Sequence, residues 1–319
     1  RETVSMAEVI LKTERLTKKY GRLVAVDRLN LEIAEGEVFG LLGPNGAGKT
    51  TTILMLLGLT EPSSGKATIY GRDCTRDPIG VKRIVGYLPD NVAFYNDMTG
   101  RENMRFIGEM NGIYGKAAEE RIDMLLHRVS LQDVADKKVR TYSRGMRQRL
   151  GIADVLMKDP KVVILDEPTL GIDPEGVHEL LSLIKELSEK DRRTVLISSH
   201  QLYQVQQICS RVGIFVSGRL VACGNIDSLR EATRAKDIVE IEYLARPDNA
   251  ELEQMLSAIP GVDEVKRERG LYVVRAKQDV RDALVAATAE KGYSLRHLRR
   301  LGGDLDDIYR RYFERGGAQ

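Results

Sequence analysis

The chain has 319 residues, of which 42% are hydrophobic and 30% charged. This balance excludes an intrinsically disordered protein, because enough apolar surface is available to offset the entropy lost on folding. Lys and Arg total 49 against 47 for Asp and Glu, a formal charge of +2, which argues against a protein that binds nucleic acid through overall electrostatic attraction.

The length indicates one large domain and one smaller domain. Residues 1–7 are interpreted as a tag or a disordered N-terminus. No run approaches the ~18 apolar residues that a membrane-spanning helix needs. The single cysteines Cys74, Cys209 and Cys223 form no CxxC pair, which suggests neither a disulfide framework nor a zinc site and fits a reducing cytosol.

Residues 8–229 alternate short β-rich runs with helical patterns, which is typical of strands and crossover helices in a largely parallel sheet. Three continuous apolar runs predict buried central strands at Val38–Leu42, Val162–Leu165 and Thr194–Ser198. Because the carboxyl ends of parallel strands meet at one sheet edge, we expect a ligand site there.

A helical insert is predicted at about residues 91–160, with helices over Glu102–Gly112, Ala117–Leu131 and Ser143–Met157. After a linker at 230–236, the pattern over 237–319 becomes strand, helix, strand, strand, helix, strand. This is the ferredoxin-like order, and it predicts a small α+β C-terminal domain. A terminal helix follows, with an amphipathic stripe from Leu305 to Phe313.

The segment from Gly43 to Thr50 reads GPNGAGKT and matches GxxxxGK[ST] between a predicted strand and a predicted helix. In such a loop, backbone N–H groups and the positive helix end surround a phosphate. Lys49 is then placed to reach the β- and γ-phosphates, and the Thr50 hydroxyl to ligate Mg²⁺. ATP and Mg²⁺ are therefore the predicted cofactors.

The run Val162–Leu165 ends in two acids, Asp166 and Glu167. Phosphate-loop enzymes use such carboxylates to hold magnesium and the attacking water. We expect Asp166 to belong to the Mg²⁺ shell and Glu167 to orient or deprotonate the water. The alternative for two adjacent acids is an ordinary helix N-cap.

At this point the chain resembles the ABC ATPases over residues 8–229. The resemblance implies a phosphate-loop sheet domain with an antiparallel β subdomain and a helical insert. Tyr20 resembles the aromatic residue that stacks on adenine, although a half-buried strand tyrosine is an alternative. His200 resembles the switch histidine that touches the γ-phosphate, whereas a lone histidine is by default a satisfied core residue.

The segment Tyr142-Ser143-Arg144-Gly145-Met146 resembles the signature motif LSGGQ, and residues 170–173 resemble the D-loop. The resemblance implies that Ser143 contacts ATP held by a second subunit, and therefore a homodimer. A simple helix cap is the alternative for Ser143. The residues predicted to contact ATP are Tyr20, Gly43, Pro44, Asn45, Gly46, Ala47, Gly48, Lys49, Thr50, Thr51, Ser143, Gly145 and Asp173.

Two segments depart from the family pattern. Asp90 stands where the family usually has the Q-loop glutamine, and Arg144 and Met146 replace Gly and Gln in the signature. A carboxylate at position 90 can accept from water or bind through the metal shell, but it adds negative charge near the triphosphate. We therefore count Asp90 with Glu167 and His200 as catalytic, and with Thr50 and Asp166 as a metal ligand.

The resemblance implies an ATP-hydrolysing subunit, cytoplasmic and peripheral on the inner face of the membrane, whose dimer closure drives an ABC-2 type permease. A periplasmic partner reached through the permease is a further expectation, and no nucleic-acid partner is expected. Residues 91–100 are expected to receive the permease, with charge reversal near Asp97 or Arg101 uncoupling transport. The finer similarity is to the ATPase subunit of the transporter for nitrous oxide reductase copper maturation; the alternative is a non-transport ABC ATPase acting as a mechanical switch in cofactor or cluster assembly.

Overall fold

The computed structural model describes residues 8–233, 239–268 and 270–301. The chain divides between Gly224 and Asn225 into two compact units. Residues 1–7 lie outside the described ranges, as does the predicted terminal helix. Within the described ranges, no helix is both long enough and apolar enough to cross a membrane.

The strands of the first unit form two sheets. They are β1 (Val9–Tyr20), β2 (Leu23–Ala34), β3 (Val38–Leu42), β4 (Ser64–Ile69), β5 (Arg72–Asp73), β6 (Val85–Leu88), β7 (Val162–Asp166), β8 (Thr194–Ser199), β9 (Arg211–Val216) and β10 (Arg219–Gly224). One sheet is antiparallel, in the order β2-β1-β4-β5. The other has six strands in the order β10-β9-β3-β8-β7-β6.

The six-stranded sheet is parallel from β9 through β6, with β10 antiparallel at its edge. Every residue of β3, β7 and β8 is buried, as expected for continuous apolar runs covered on both faces. The predicted central strands are confirmed, and the register places Leu42 beside Ser199 and Asp166 beside Ser198. The acids and hydroxyls that follow these strands therefore share one edge.

The helices of the first unit are α1 (Lys49–Leu56), α2 (Pro78–Ile84), α3 (Gly100–Met110), α4 (Gly115–Arg128), α5 (Arg144–Leu156), α6 (Pro174–Glu189) and α7 (Leu202–Val205). Their starts follow from capping chemistry. Thr99 and Glu102 form a reciprocal capping box before α3, and the side chains of Ser143 and Asp173 cap α5 and α6. The helices α3, α4 and α5 correspond to the predicted helical insert.

The second unit contains α8 (Ile226–Thr233), β11 (Val239–Arg246), α9 (Ala250–Ser257), β12 (Val262–Glu268), β13 (Leu271–Ala276), α10 (Arg281–Glu290) and β14 (Ser294–Arg300). Its sheet is antiparallel in the order β12-β13-β11-β14. Strand order and element order together make a ferredoxin-like fold. Its core contains the buried rings of Tyr243 and Tyr272 and the side chains of α9 and α10 that face the sheet, Leu252, Leu256 and Leu284.

The predicted domain boundary at 229 falls inside α8, and the predicted linker at 230–236 overlaps the end of this helix before it enters residues outside the described part. The compact second unit begins earlier, at Asn225. Its side chain oxygen accepts from the Ser228 N–H at 2.7 Å, an N-terminal helix contact that the sequence analysis did not identify.

Candidate nucleotide site

The loop after β3 turns directly into α1 through Gly48. This residue has φ of 106°, a left-handed conformation that favours glycine. A Cβ at Gly48 would lie 2.4 Å from the carbonyl oxygen of Ala25, so any other residue would collide with the backbone of β2. The close approach fixes the start of α1 and leaves its N-terminal N–H groups facing the loop, as an anion site requires.

Asp166, the last residue of β7, joins this strand to α1 and β8 at the same edge. Thr50 Oγ1 donates to its Oδ2 at 2.9 Å, and Ser198 Oγ donates to its Oδ1. Burial raises the pKa of Asp166, and the charges of Glu167 and Asp90 act in the same direction, although the two hydroxyl donors oppose them. The arrangement places the two oxygens that were predicted as metal ligands next to each other.

Glu167 follows Asp166 in an unusual backbone conformation. Its φ is +48°, which is uncommon for a residue other than glycine and is found where surrounding contacts hold it. Its N–H donates to the carbonyl oxygen of Ser198 at 3.1 Å. The side chain is buried, with 9% of the residue exposed. The carboxylate therefore faces the edge of the sheet where a ligand is expected.

Two residues, His200 and Lys49, contact the Glu167 carboxylate. His200 Nδ1 lies 2.8 Å from Oε2, and the His200 N–H donates to the same oxygen at 3.3 Å. Lys49 Nζ lies 3.2 Å from Oε1, yet this oxygen accepts no hydrogen bond from the described residues. The Lys49–Glu167 contact is therefore electrostatic, and Oε1 of Glu167 can still accept a hydrogen bond.

Lys49 is buried and donates to two carbonyl oxygens of its own loop, that of Gly43 at 2.8 Å and that of Pro44 at 3.2 Å. A flexible ammonium with three donors can exchange such contacts for phosphate oxygens. Its present position, between the loop carbonyls and Glu167, is at the phosphate end of the site.

A cavity of about 650 Å³ runs along this edge. Apolar and aromatic side chains that line it include Tyr20, Leu23 and Val24, and polar ones include Lys49, Thr50 and Glu167; Asn45, Gly46, Gly48, Thr51, Asp90 and His200 also line it. The size suits a small-molecule ligand. Tyr20, the last residue of β1, lines the cavity with half its surface exposed, and Lys18 Nζ lies 5.0 Å from its ring centroid. This position fits both the stacking role and a half-buried strand tyrosine.

Ser143, Gly145 and Asp173 do not line the cavity of their own chain. Ser143 is exposed at the start of α5, where its Oγ accepts from the Met146 N–H at 3.2 Å. Asp173 caps α6 and accepts from the Gly176 N–H at 3.4 Å. Gly43, Pro44 and Ala47 do not line the cavity either. Gly43 and Ala47 are buried, and a Cβ at Gly43 would lie 2.5 Å from the carbonyl oxygen of Phe215.

Asp90 lies at the cavity and is exposed. Of the two charges predicted to meet a permease, Asp97 is 82% exposed and lies 3.6 Å from Arg140. Arg101, however, contacts Asp123 at 2.6 Å and Asp136 at 3.2 Å. Arg101 is therefore paired within the insert, and reversing its charge would place a carboxylate beside two others, which the spacing of residues in the sequence could not reveal.

Several site residues were missed by the sequence analysis. Ser198 contacts both acids, and the signal was a hydroxyl near the carboxyl end of a predicted central strand. Leu23, Val24 and Gly218 complete the cavity beside Tyr20. Gly218 joins them because its N–H donates to the carbonyl oxygen of Ala47 at 2.9 Å, a contact between distant segments.

Comparisons with known proteins show the family to which the chain belongs. A family model described as ABC transporter matches residues 26–170. The chain is 42% identical over 225 residues to the bacitracin transport ATP-binding protein BcrA of Bacillus licheniformis, covering 70% of this chain and 72% of that one. It is 35% identical over 301 residues to the Nod factor export ATP-binding protein I of Cupriavidus metallidurans, covering 94% and 96% of the two chains.

Solved structures give the same result for the fold. A structure described as the ATP binding subunit of an ABC transporter superposes with a TM-score of 0.63 at 30% identity. The match covers 70% of this chain and 92% of that one.

Proposed function

The chain belongs to the family of ABC transporter ATP-binding proteins, and from this we propose that it is the ATPase subunit of an exporter-type transporter that drives a separate membrane permease. The observation that carries the site assignment is the placement of Glu167. Its buried carboxylate lies against His200 and beside Lys49 at the cavity edge. A base in this place can accept a proton from water attacking the terminal phosphate.

The cavity orients ATP from both ends. Tyr20 stacks on the adenine, while the N-terminal N–H groups of α1 and the Lys49 ammonium bind the phosphates. Lys49 then leaves the carbonyl oxygens of Gly43 and Pro44, and its contact with Glu167 weakens. The carboxylate is freed to accept from water, and the His200 ring, with Nδ1 donating to Oε2, keeps it oriented.

The oxygens of Thr50 and Asp166 fit Mg²⁺, which prefers hard oxygen ligands and is usually bound by one or two carboxylates together with substrate phosphates. Among the described residues no cluster of three or more His, Cys, Asp or Glu could hold a metal alone, as expected where phosphates complete the shell. When bound, Mg²⁺ neutralises charge on the phosphates. Asp90, which lines the cavity, would supply a further oxygen ligand or accept from water.

The second half of each site comes from a second copy of the chain. Ser143 and Gly145 present a hydroxyl, N–H groups and a helix N-terminus but do not line the cavity of their own chain. Such groups suit a phosphate. Two ATP molecules between two copies, with Asp173 at the interface, then couple binding to dimer closure.

A permease of ABC-2 type is the partner that closure moves, which places the chain at the inner face of the membrane. Asp97 is exposed within residues 91–100, the segment expected to receive the permease, and is therefore accessible to it. The names of the relatives, bacitracin transport and Nod factor export, support transport over a cluster-assembly switch. Copper maturation for nitrous oxide reductase, and a periplasmic partner, stay predictions that none of these comparisons tests.

Glu167→Gln tests the proposal. The amide cannot act as a base, so steady-state turnover should fall by ~100-fold or more, while ATP binding persists and ATP shifts the chain to a dimer in size-exclusion chromatography. Glu189→Gln, on the exposed face of α6, is the matched control and should keep wild-type turnover. Wild-type turnover in the Glu167→Gln chain would show that the base lies elsewhere.

A further inference from the structure

The first turns of α5 contact the loop that follows the catalytic glutamate, which we define as residues Pro168–Asp173. A Cβ at Gly145 would lie 3.4 Å from Cγ2 of Ile172. Gln148, one turn further along α5, donates from Nε2 to the carbonyl oxygen of Pro168 at 3.1 Å, and both partners are buried. The signature segment and the Pro168–Asp173 loop thus pack together within one chain.

Arg144 makes the third contact. A methyl group at Gly171 would lie 3.0 Å from Nη1 of Arg144 and 3.1 Å from both Cδ and Cζ. These near-equal distances mean that the end of the side chain lies across the Gly171 backbone. Gly171 has φ of +71°, so both its conformation and its missing Cβ are needed for the contact. A positive charge at the first position of a helix is disfavoured by the positive end of the helix dipole. The packing of Arg144 against Gly171 explains why an arginine is nevertheless present there.

The loop is joined directly to Glu167. The Leu170 N–H donates to the carbonyl oxygen of Glu167 at 3.1 Å, and the Ile172 N–H to that of Thr169 at 3.3 Å. Because Glu167 has a strained backbone and only 9% exposure, its carboxylate direction depends on what holds the neighbouring residues. A shift of Gly171 is therefore transmitted over four residues to the base.

We propose that Arg144 is a positioning residue for hydrolysis: its guanidinium covers Gly171, holds the Pro168–Asp173 loop and so keeps Glu167 aligned. The proposal rests on the proposed ATPase function and adds a role for the residue that replaces the family's glycine. The competing role for an arginine beside Ser143 is a direct contact with the phosphates bound by a second copy. The positioning role requires a planar guanidinium, whereas the phosphate-contact role requires only a positive charge.

Steady-state kinetics of the full-length chain separate them. Arg144→Ala should lower kcat by about 2- to 30-fold, the range for residues that act through a neighbour, and leave the KM for ATP unchanged. Arg144→Lys should not restore kcat, because an ammonium lacks the planar group that covers Gly171. Arg147→Ala removes a cation from the same helix end and is the matched control, with kcat near wild type.

A double-mutant cycle with Gly171→Ala gives the second readout. The added methyl meets the guanidinium only in the wild-type background, whereas the strain of an alanine at φ +71° is present in both backgrounds. Gly171→Ala should therefore lower kcat by a larger factor in the wild-type background than in the Arg144→Ala background. Independent, multiplicative effects would overturn the proposal, as would full rescue by lysine, a raised KM with unchanged kcat, or equal losses for Arg147→Ala. Absence of turnover in the wild-type chain would instead contradict the ATPase proposal itself.

Discussion

At the carboxyl ends of β7 and β8 the carboxylates of Asp166 and Glu167 are buried, with 1% and 9% exposure. In the second unit, Arg275 on β13 lies between Glu240 at 2.9 Å and Glu264 at 2.8 Å, and the side chains of these two acids are 21% and 41% exposed. The first set has little accessible surface, and the second set is partly exposed to solvent beside a partner of opposite charge.

The difference in exposure distinguishes carboxylates at the nucleotide site from carboxylates that form ion pairs on the protein surface. Burial raises the pKa of Asp166, whereas the pKa of Glu264 is lowered by its hydrogen bonds with Lys266 and Arg275. A fold keeps a group in an environment that disfavours its charge only where other interactions compensate, and such groups cluster at functional sites. Changing charges in each unit should therefore have effects of different size and sign.

The largest effect on stability is expected at Asp154 in α5, which is partly buried and lies outside the nucleotide cavity. Burial raises the pKa of Asp154 from 3.8 to about 6, with Lys158 opposing. The folded state binds a proton more tightly than the unfolded state, so this group lowers stability as pH rises from about 4 to about 6. Asp154→Asn should stabilise the first unit above that range by up to roughly 3 kcal/mol.

Thermal unfolding is measured with and without ATP. The transition that ATP shifts to a higher temperature belongs to the first unit, because only the unit that binds the ligand is stabilised by it. The difference between variant and wild type should grow between about pH 4 and pH 6. Asp159→Asn is the matched control with opposite sign, because Arg193 lowers the pKa of Asp159, so this variant should be destabilised at neutral pH. A less stable Asp154→Asn chain at pH 7 would contradict the account of Asp154.

A smaller effect is expected in the second unit. Arg275→Ala removes two partly exposed ion pairs, and such pairs contribute under about 1 kcal/mol each. The free energy of unfolding of this unit should fall slightly, and less so at high salt because the charges are screened. ATPase turnover should stay at the wild-type value. A loss of turnover would show that this surface takes part in function.

Much of the fold was predictable because its signals are local. Continuous apolar runs predicted the three central strands, and the glycine-rich loop predicted a helix after β3, which begins at Lys49. The order of elements gave the ferredoxin-like fold of the second unit. These features depend on residues within a few positions of each other, where periodicity and capping chemistry act.

The remaining features depend on contacts between distant segments. The link from Thr50 to Asp166 spans 116 positions, and no spacing in the sequence indicates that Arg101 binds Asp123 and Asp136 or that Arg144 lies across Gly171. The positive φ of Glu167 was equally hidden, since nothing in the residue type favours it. Family resemblance supplied roles for Ser143 and His200, but only coordinates show which groups share a cavity.

The central claim is that Ser143 of one copy and Glu167 of another complete one site. It is tested most directly with heterodimers isolated through two affinity tags, one chain carrying Glu167→Gln and the other Ser143→Arg. Each homodimer should be nearly inactive, whereas the heterodimer contains one site with both residues intact and should recover turnover well above either. Turnover no greater than that of the two homodimers would contradict a site shared between chains.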